Sequence, residues 1–179
     1  FEALCLTIDE LLVIQDYAHE KGVFFGASFF DLETYKIFSD IDFYKVASSD
    51  FDFLPLVRAL AQIDKPLVLS SGLASTSDLK AVLQLVENRR SPTVICHCVS
   101  MYPAPLHNLN LNILKEIKGM LNGILLGYSD HSDNLTANIT AAAMGATVFE
   151  KHFTLSKTYS DFRDHALAST PQELKDLRK

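Results

Sequence analysis

An α/β fold built on a parallel sheet is what this sequence predicts, and three observations predict it. Short apolar runs alternate with amphipathic helix-like segments at intervals of roughly 20–30 residues, the signature of βα units. The apolar runs are nearly continuous, as strands covered on both faces should be. No Pro/Gly/Ser-rich linker or low-complexity stretch interrupts residues 1–179, so a single domain is expected throughout.

The strands are expected at Val23–Ala27, Phe43–Ala47, Leu67–Ser71, Thr93–Cys98, Ile124–Gly127 and Thr147–Lys151. A helix-like segment comes soon after Phe1. In Ser77–Glu87, the residues Leu79, Val82, Leu83 and Val86 fall at i, i+3, i+4 and i+7, giving one apolar stripe. Leu135–Met144 is stopped by Gly145, a natural left-handed cap. Thr170-Pro171-Gln172-Glu173 offers an N-cap, a proline suited to the first helical position and a glutamate able to close a capping box. Such units fit either an open doubly wound sheet or most of a TIM (β/α)8-type barrel. A barrel typically takes about 250 residues. The chain starts at Phe1, not Met, and ends at Lys179 inside a helix just begun. A partial barrel lacking its first two βα units is therefore the expectation.

With 48% hydrophobic and 21% charged residues, the chain reads as a soluble globular protein. Its net charge of −6 gives no support for nucleic-acid binding, which rests on clustered Lys and Arg. A phosphorylated small molecule needs only a few local cations and stays compatible. No apolar run approaches the ~20 residues of a membrane span, and no signal-peptide pattern opens the chain. Of the cysteines Cys5, Cys96 and Cys98, the last two lie in an apolar run and read as buried free thiols. Together these point to the cytoplasm. Charged clusters such as Glu87–Arg90 read as solvated faces.

Side chains alternate between the faces of a strand, which divides each run into two sets. One set reads Phe24, Gly26, Ser28; Phe43, Lys45, Ala47; Val68, Ser70, Gly72; Cys96, Cys98, Ser100, Tyr102; Gly127, Ser129, His131; and Val148, Glu150, His152. It starts apolar or small and in most strands turns polar toward the C-terminal end, where a parallel barrel carries its active site. The other set, including Val23, Phe25, Val46, Leu67, Leu69, Ile95, Val99 and Phe149, suits a covering layer of helices. His131 and His152 end successive strands, which lie about 4.8 Å apart, so both imidazoles can reach one metal. The alternative is two ordinary histidines, each bonded to a nearby carbonyl. Glu150 lies one step below His152 on the same face, as a partner to the ligands or a further charge. Lys45 sits within a buried strand, where its ammonium needs a bound phosphate or carboxylate, or else an internal Asp or Glu. Asp130 either caps the next helix or orients a ligand. His97 has the opposite parity and reads as a satisfied core histidine, while His19, His107 and His165 carry no spacing argument.

The motifs in order resemble those of the sialic acid synthases. They read Lys45-Val-Ala-Ser48, Pro66-Leu-Val-Leu-Ser70-Ser-Gly72, His97-Cys98, Tyr102-Pro-Ala-Pro105 with Asn110-Leu111, and Gly127-Tyr-Ser-Asp-His131. Then follow Gly145-Ala146, Glu150-Lys-His-Phe-Thr154, Asp164-His165 and Pro171-Gln-Glu-Leu174. The resemblance runs from about residue 9 to the end. It implies condensation of phosphoenolpyruvate with an N-acetylated aminohexose, such as N-acetylmannosamine, to give a sialic-acid-type sugar and phosphate. It implies that His131 and His152 bind a divalent metal, manganese first, with magnesium or cobalt as alternatives. It implies phosphoenolpyruvate contacts from Ser28, Lys45, Ser48, Ser70, Ser100 and Ser129, and sugar contacts from Tyr102 and Asp164. Asp50 is the first candidate for moving protons and Glu150 the second. A homodimer is implied for the full-length protein. Ser48 has the opposite parity from Lys45, so its strand must end or bulge there.

The chain departs from the family's pattern at named places. Ser-Thr-Pro-Phe is Ala27-Ser28-Phe29-Phe30 here, and Gly-Glu is Ser49-Asp50. Ser100 stands where Asn is usual. Gly-Pro-Asp becomes Phe162-Arg163-Asp164 and the following Ser-Leu becomes Ala168-Ser169, in the region that selects the sugar. Two rival readings go with these changes: a Schiff-base aldolase using Lys45 or Lys151, and a diverged barrel that binds a ligand or partner without catalysis.

Overall fold

A computed structural model describes residues 6–38 and 40–178. The expectation for Cys5 lies outside these described residues. Six parallel strands run in chain order, β1 (Gly26–Ser28), β2 (Phe43–Val46), β3 (Leu67–Ser70), β4 (Thr93–Cys98), β5 (Leu125–Asp130) and β6 (Val148–Lys151), each hydrogen-bonded to the next. The sheet is a half-barrel of the TIM type, with helices on its outer face.

Eight helices connect or flank the strands: α1 (Ile8–Glu20), α2 (Thr34–Ile37), α3 (Leu54–Ala61), α4 (Thr76–Val86), α5 (Ile113–Met120), α6 (Thr136–Ala143), α7 (Arg163–Leu167) and α8 (Pro171–Leu177). Their starts follow from local chemistry. Thr7, Ser75 and Thr170 each close a reciprocal capping box, with Glu10, Asp78 and Glu173. The expected stripe on α4 turns Leu79, Val82 and Val86 into the core, with Leu83 packed beside them. Gly145 follows α6 at φ +101°, the conformation expected of it.

The core lies between the sheet's outer face and the helices. Val46, Leu67, Leu69 and Ile95 from the strands are fully buried against Leu56, Leu60, Val82 and Leu114 from α3, α4 and α5. Strand register also confirms the division into two faces. Ser28 pairs with Lys45, Lys45 with Val68, Ser70 with Cys96, Cys98 with Ser129 and Ser129 with Glu150, so all of these point into the barrel lumen.

Three expectations are corrected. The first strand begins at Gly26, not Val23, because the Val23 amide still bonds back to the Ala18 carbonyl at the end of α1. Val23 and Phe24 are consequently exposed, at 58% and 80%. The fifth strand runs on to Asp130, because Tyr128, Ser129 and Asp130 keep pairing with Phe149, Glu150 and Lys151. Arg89, expected on a solvated face, instead ties the lower end of the sheet. Its guanidinium donates to the carbonyls of Leu60, Ala61 and Lys65 and to Thr93 Oγ1.

Candidate functional site

The C-terminal ends of the strands gather the polar residues in two tiers. In the lower tier, Lys45 on β2 reaches across the lumen toward Glu150 on β6, with 3.5 Å between the charged groups. Its ammonium also donates to Ser70 Oγ at 3.0 Å and to the Val46 carbonyl at 2.7 Å. Glu150 accepts from Ser129 Oγ at 2.9 Å. One chain of contacts therefore joins Ser70, Lys45, Glu150 and Ser129 across four strands. The internal carboxylate that the buried lysine calls for is Glu150. At 12% exposure Lys45 is nearly enclosed, whereas Glu150 at 41% faces the open lumen.

The upper tier is aromatic. The His131 and His152 rings lie 5.4 Å apart between centroids, tilted by 56°. Tyr102 stacks on His131 at 4.2 Å and meets His152 edge-on at 5.7 Å. His131 Nδ1 is 2.7 Å from the Val99 carbonyl. A carbonyl only accepts, so Nδ1 carries the hydrogen and Nε2 keeps its lone pair. Burial pushes the His131 imidazole below its ordinary value, against the opposing pull of that carbonyl. Burial outweighs that pull and favours the neutral ring, and the carbonyl fixes its hydrogen on Nδ1, which leaves Nε2 in the form that ligates metals. His131 thus has the carbonyl partner of an ordinary histidine and a free ligand nitrogen at once.

His152 Nδ1 faces Asp164 Oδ2 at 3.7 Å. The other oxygen, Asp164 Oδ1, is buried without a hydrogen bond, and its nearest cation is Arg163 Nε at 3.6 Å. The Arg163 guanidinium lies over the Tyr102 ring at 4.9 Å. Among the described residues, no group of three or more His, Cys, Asp or Glu is arranged to hold a metal ion. The free Nε2 of His131 beside His152 suits a divalent ion held by two imidazoles, with the other positions taken by substrate or solvent.

Ser48 enters because β2 ends at Val46 and the chain turns. Its hydroxyl accepts from Ser100 Oγ at 3.2 Å. Ser28 stands beside Lys45 as its ladder partner. The Asp50 carboxylate accepts from the adjacent Ser49 hydroxyl at 2.5 Å. His97, on the far face, bonds the Leu109 carbonyl at 2.7 Å, the satisfied core histidine expected. Cys96 and Cys98 are buried free thiols, and burial pushes Cys96 up to about 12. Parity gave no warning of Asp130 and Lys151, which pair on the outer face at 2.8 Å. Asp130 caps no helix, since its carboxylate is taken up by that pairing and by Tyr128, Ser132 and Asn138.

Fold and site together define a parallel-barrel protein with a Lys45–Glu150 ion pair in its lumen and two histidine rings side by side at the mouth. The chain belongs to the NeuB family, whose model matches residues 1–179. It is 36% identical over 180 residues to an uncharacterized protein of Methanocaldococcus jannaschii, covering 99% of this chain and 53% of that one. It is 33% identical over 171 residues to human N-acetylneuraminate-9-phosphate synthase, covering 94% and 47%. The crystal structure of the N-acetylneuraminic acid synthetase of Leptospira borgpetersenii, determined with citrate, superimposes with a TM-score of 0.89 at 29% identity, covering 96% and 60%. The chain spans about half the length of the curated relatives it matches.

Proposed function

We propose that residues 1–179 belong to a single domain, as the greater part of the barrel of a nonulosonic acid synthase that joins phosphoenolpyruvate to an N-acetylated aminohexose of the N-acetylmannosamine kind. The observation that carries this reading is the Lys45–Glu150–Ser129 network lying directly below the His131/His152 pair. The names of the human and Leptospira relatives support the same chemistry. No helix among the described residues is long and apolar enough to cross a membrane. We place the enzyme in the cytoplasm, acting as a homodimer in its full-length form.

In this mechanism Lys45 and the hydroxyls of Ser28, Ser48, Ser70, Ser100 and Ser129 hold the phosphate and carboxylate of phosphoenolpyruvate. Orientation of this kind lowers the barrier by several kcal/mol, roughly. Tyr102 and Asp164 bind the open-chain sugar, beside Arg163, whose guanidinium lies over the Tyr102 ring and 3.6 Å from Asp164 Oδ1. His131 and His152 hold a divalent metal, manganese or else magnesium or cobalt. When bound, that ion polarises the aldehyde oxygen. The enol carbon of phosphoenolpyruvate attacks the aldehyde carbon, and water adds to the cationic carbon that remains. The tetrahedral adduct then loses phosphate by C–O cleavage. Glu150 is the better positioned of the two acidic candidates for taking the proton from water, because it is 41% exposed in the lumen beside Lys45 and Ser129.

Phosphate release from phosphoenolpyruvate is expected in the longest natural form of the chain, assayed with manganese and a panel of N-acetylated aminohexoses. Chelation should abolish it and manganese restore it. Full activity of rigorously metal-free protein overturns the mechanism. Binding without turnover on any sugar favours the non-catalytic barrel. A borohydride-trapped adduct favours the aldolase, for which Lys151 is unsuited because it is 5% exposed and bound to Asp130.

A further inference from the structure

Behind the two histidines, on the outer face of the sheet, lies a buried ion pair that the proposed chemistry does not use. Asp130 and Lys151 are direct ladder partners on β5 and β6, 2.8 Å apart, with side chains 0% and 5% exposed. They are the last residues of their strands. His131 and His152 follow immediately, one step past the point where ladder bonds fix the backbone.

Asp130 is the hub of a dense set of bonds. Its Oδ1 accepts from the Ser132 amide at 2.9 Å and from the Tyr128 hydroxyl at 3.2 Å. Its Oδ2 accepts from Asn138 Nδ2 at 2.6 Å and from Lys151. Lys151 also donates to the Ser132 carbonyl. Residues 130 and 132, on either side of His131, are therefore tied to each other and to β6. The carbonyls of both histidines are held as well, His131's by the Ala104 amide at 2.9 Å and His152's by the Ser169 amide at 2.7 Å, and the hub adds the side-chain ties that join the two strands behind them.

Stability alone gives no reason to bury these charges. Desolvating both is costly, and a packed apolar pair of similar volume is often as stable or more so. What the charged pair supplies is direction, because each bond fixes an atom beside a histidine. We infer that Asp130 and Lys151 are positioning residues, a final rung that sets the spacing of His131 and His152 and hence their ability to share one divalent cation. This inference rests on the reading of the two histidines as a metal pair.

The test compares the longest natural form of the chain with its Asp130→Asn/Lys151→Met variant, titrated with Mn2+ alone and followed by the EPR signal of the free ion. Losing groups that orient metal ligands typically costs about 10–100-fold in affinity, and that loss is expected here. Lys151→Arg, which keeps the charge, should recover most of it. A folded double variant that binds manganese like the parent overturns the inference. Asn138→Leu removes one donor to Asp130 and keeps both charges, so it serves if the double variant does not fold. A smaller loss is expected for it, and unchanged affinity overturns the inference equally. A parent protein that binds no manganese would sink the metal reading alone. Crystal structures then decide the positioning role: the ring separation should depart from 5.4 Å in the variant, and an unchanged separation overturns it.

Discussion

Substituting alanine for Gly72 probes how closely the mouth is packed. Gly72 follows β3 at φ +45°, and a Cβ built there would lie 2.4 Å from Ser48 Cβ and 3.0 Å from Ser100 Oγ. The left-handed backbone costs an alanine about 1–2 kcal/mol. Displacing Ser48, whose Cβ is held by backbone and cannot rotate away, adds about 1–3 kcal/mol of overpacking. Gly72→Ala should therefore lose about 2–5 kcal/mol in urea unfolding. It should also raise the KM for phosphoenolpyruvate, because Ser48 and Ser100 are pushed apart. Gly119 supplies the control. It lies within α5 with nothing within 4 Å of its would-be Cβ, so Gly119→Ala should gain roughly 0.5–1 kcal/mol. A Gly72→Ala protein within about 0.5 kcal/mol of the parent would refute the argument, since neither strain nor crowding would then be present.

Other expectations follow from the same geometry. Lys45→Met should leave the protein folded, because Glu150 is 41% exposed and stays solvated. Loss of a charged donor worth about 1.5–3 kcal/mol should raise the KM for phosphoenolpyruvate roughly 10–100-fold in steady-state kinetics. Arg163→Ala removes the cation over Tyr102, worth about 0.5–1 kcal/mol at an exposed site. It should raise the sugar KM a few-fold, roughly, and leave the KM for phosphoenolpyruvate unchanged. His97→Leu should lower the urea midpoint by stranding the Leu109 carbonyl, at about 1–3 kcal/mol, while manganese binding stays intact. Cys96, buried and pushed from 9.0 up to about 12, stays protonated when folded. Its contribution is full below the unfolded value and is lost as pH climbs from 9.0 toward about 12, so urea midpoints should fall on that limb and fall less in Cys96→Ala. Peptide-resolved alkylation at neutral pH should label Cys96 and Cys98 only after unfolding.

What was readable in the sequence was mostly what is local or periodic. The capping box at Thr170 and Glu173 involves residues three apart, and the α4 stripe repeats with the helical turn. Strand parity brought Lys45, Ser70, Ser129, Glu150, His131 and His152 to one face without knowledge of register. Two kinds of feature were hidden. One was contact between distant strands: that Lys45 meets Glu150 depends on the curvature of a sheet with three strands between them. The other was polarity on the face assigned to the core, where Asp130 and Lys151 satisfy each other and each alone reads as an anomaly. Arg89 belongs with the first kind, since the carbonyls it ties come from segments more than twenty residues upstream. The start of β1 is hidden because Val23 and Phe24 have strand-like character, yet the last turn of α1 still claims the Val23 amide.

Because every strand lies next to its neighbour in the chain, the sheet can be laid down in the order of translation, one stave at a time. The lysine of β2 is made before β6 and meets Glu150 only once that strand arrives. Charge balance at Lys45 therefore waits on the last of the six strands described, whatever the order in which the others dock.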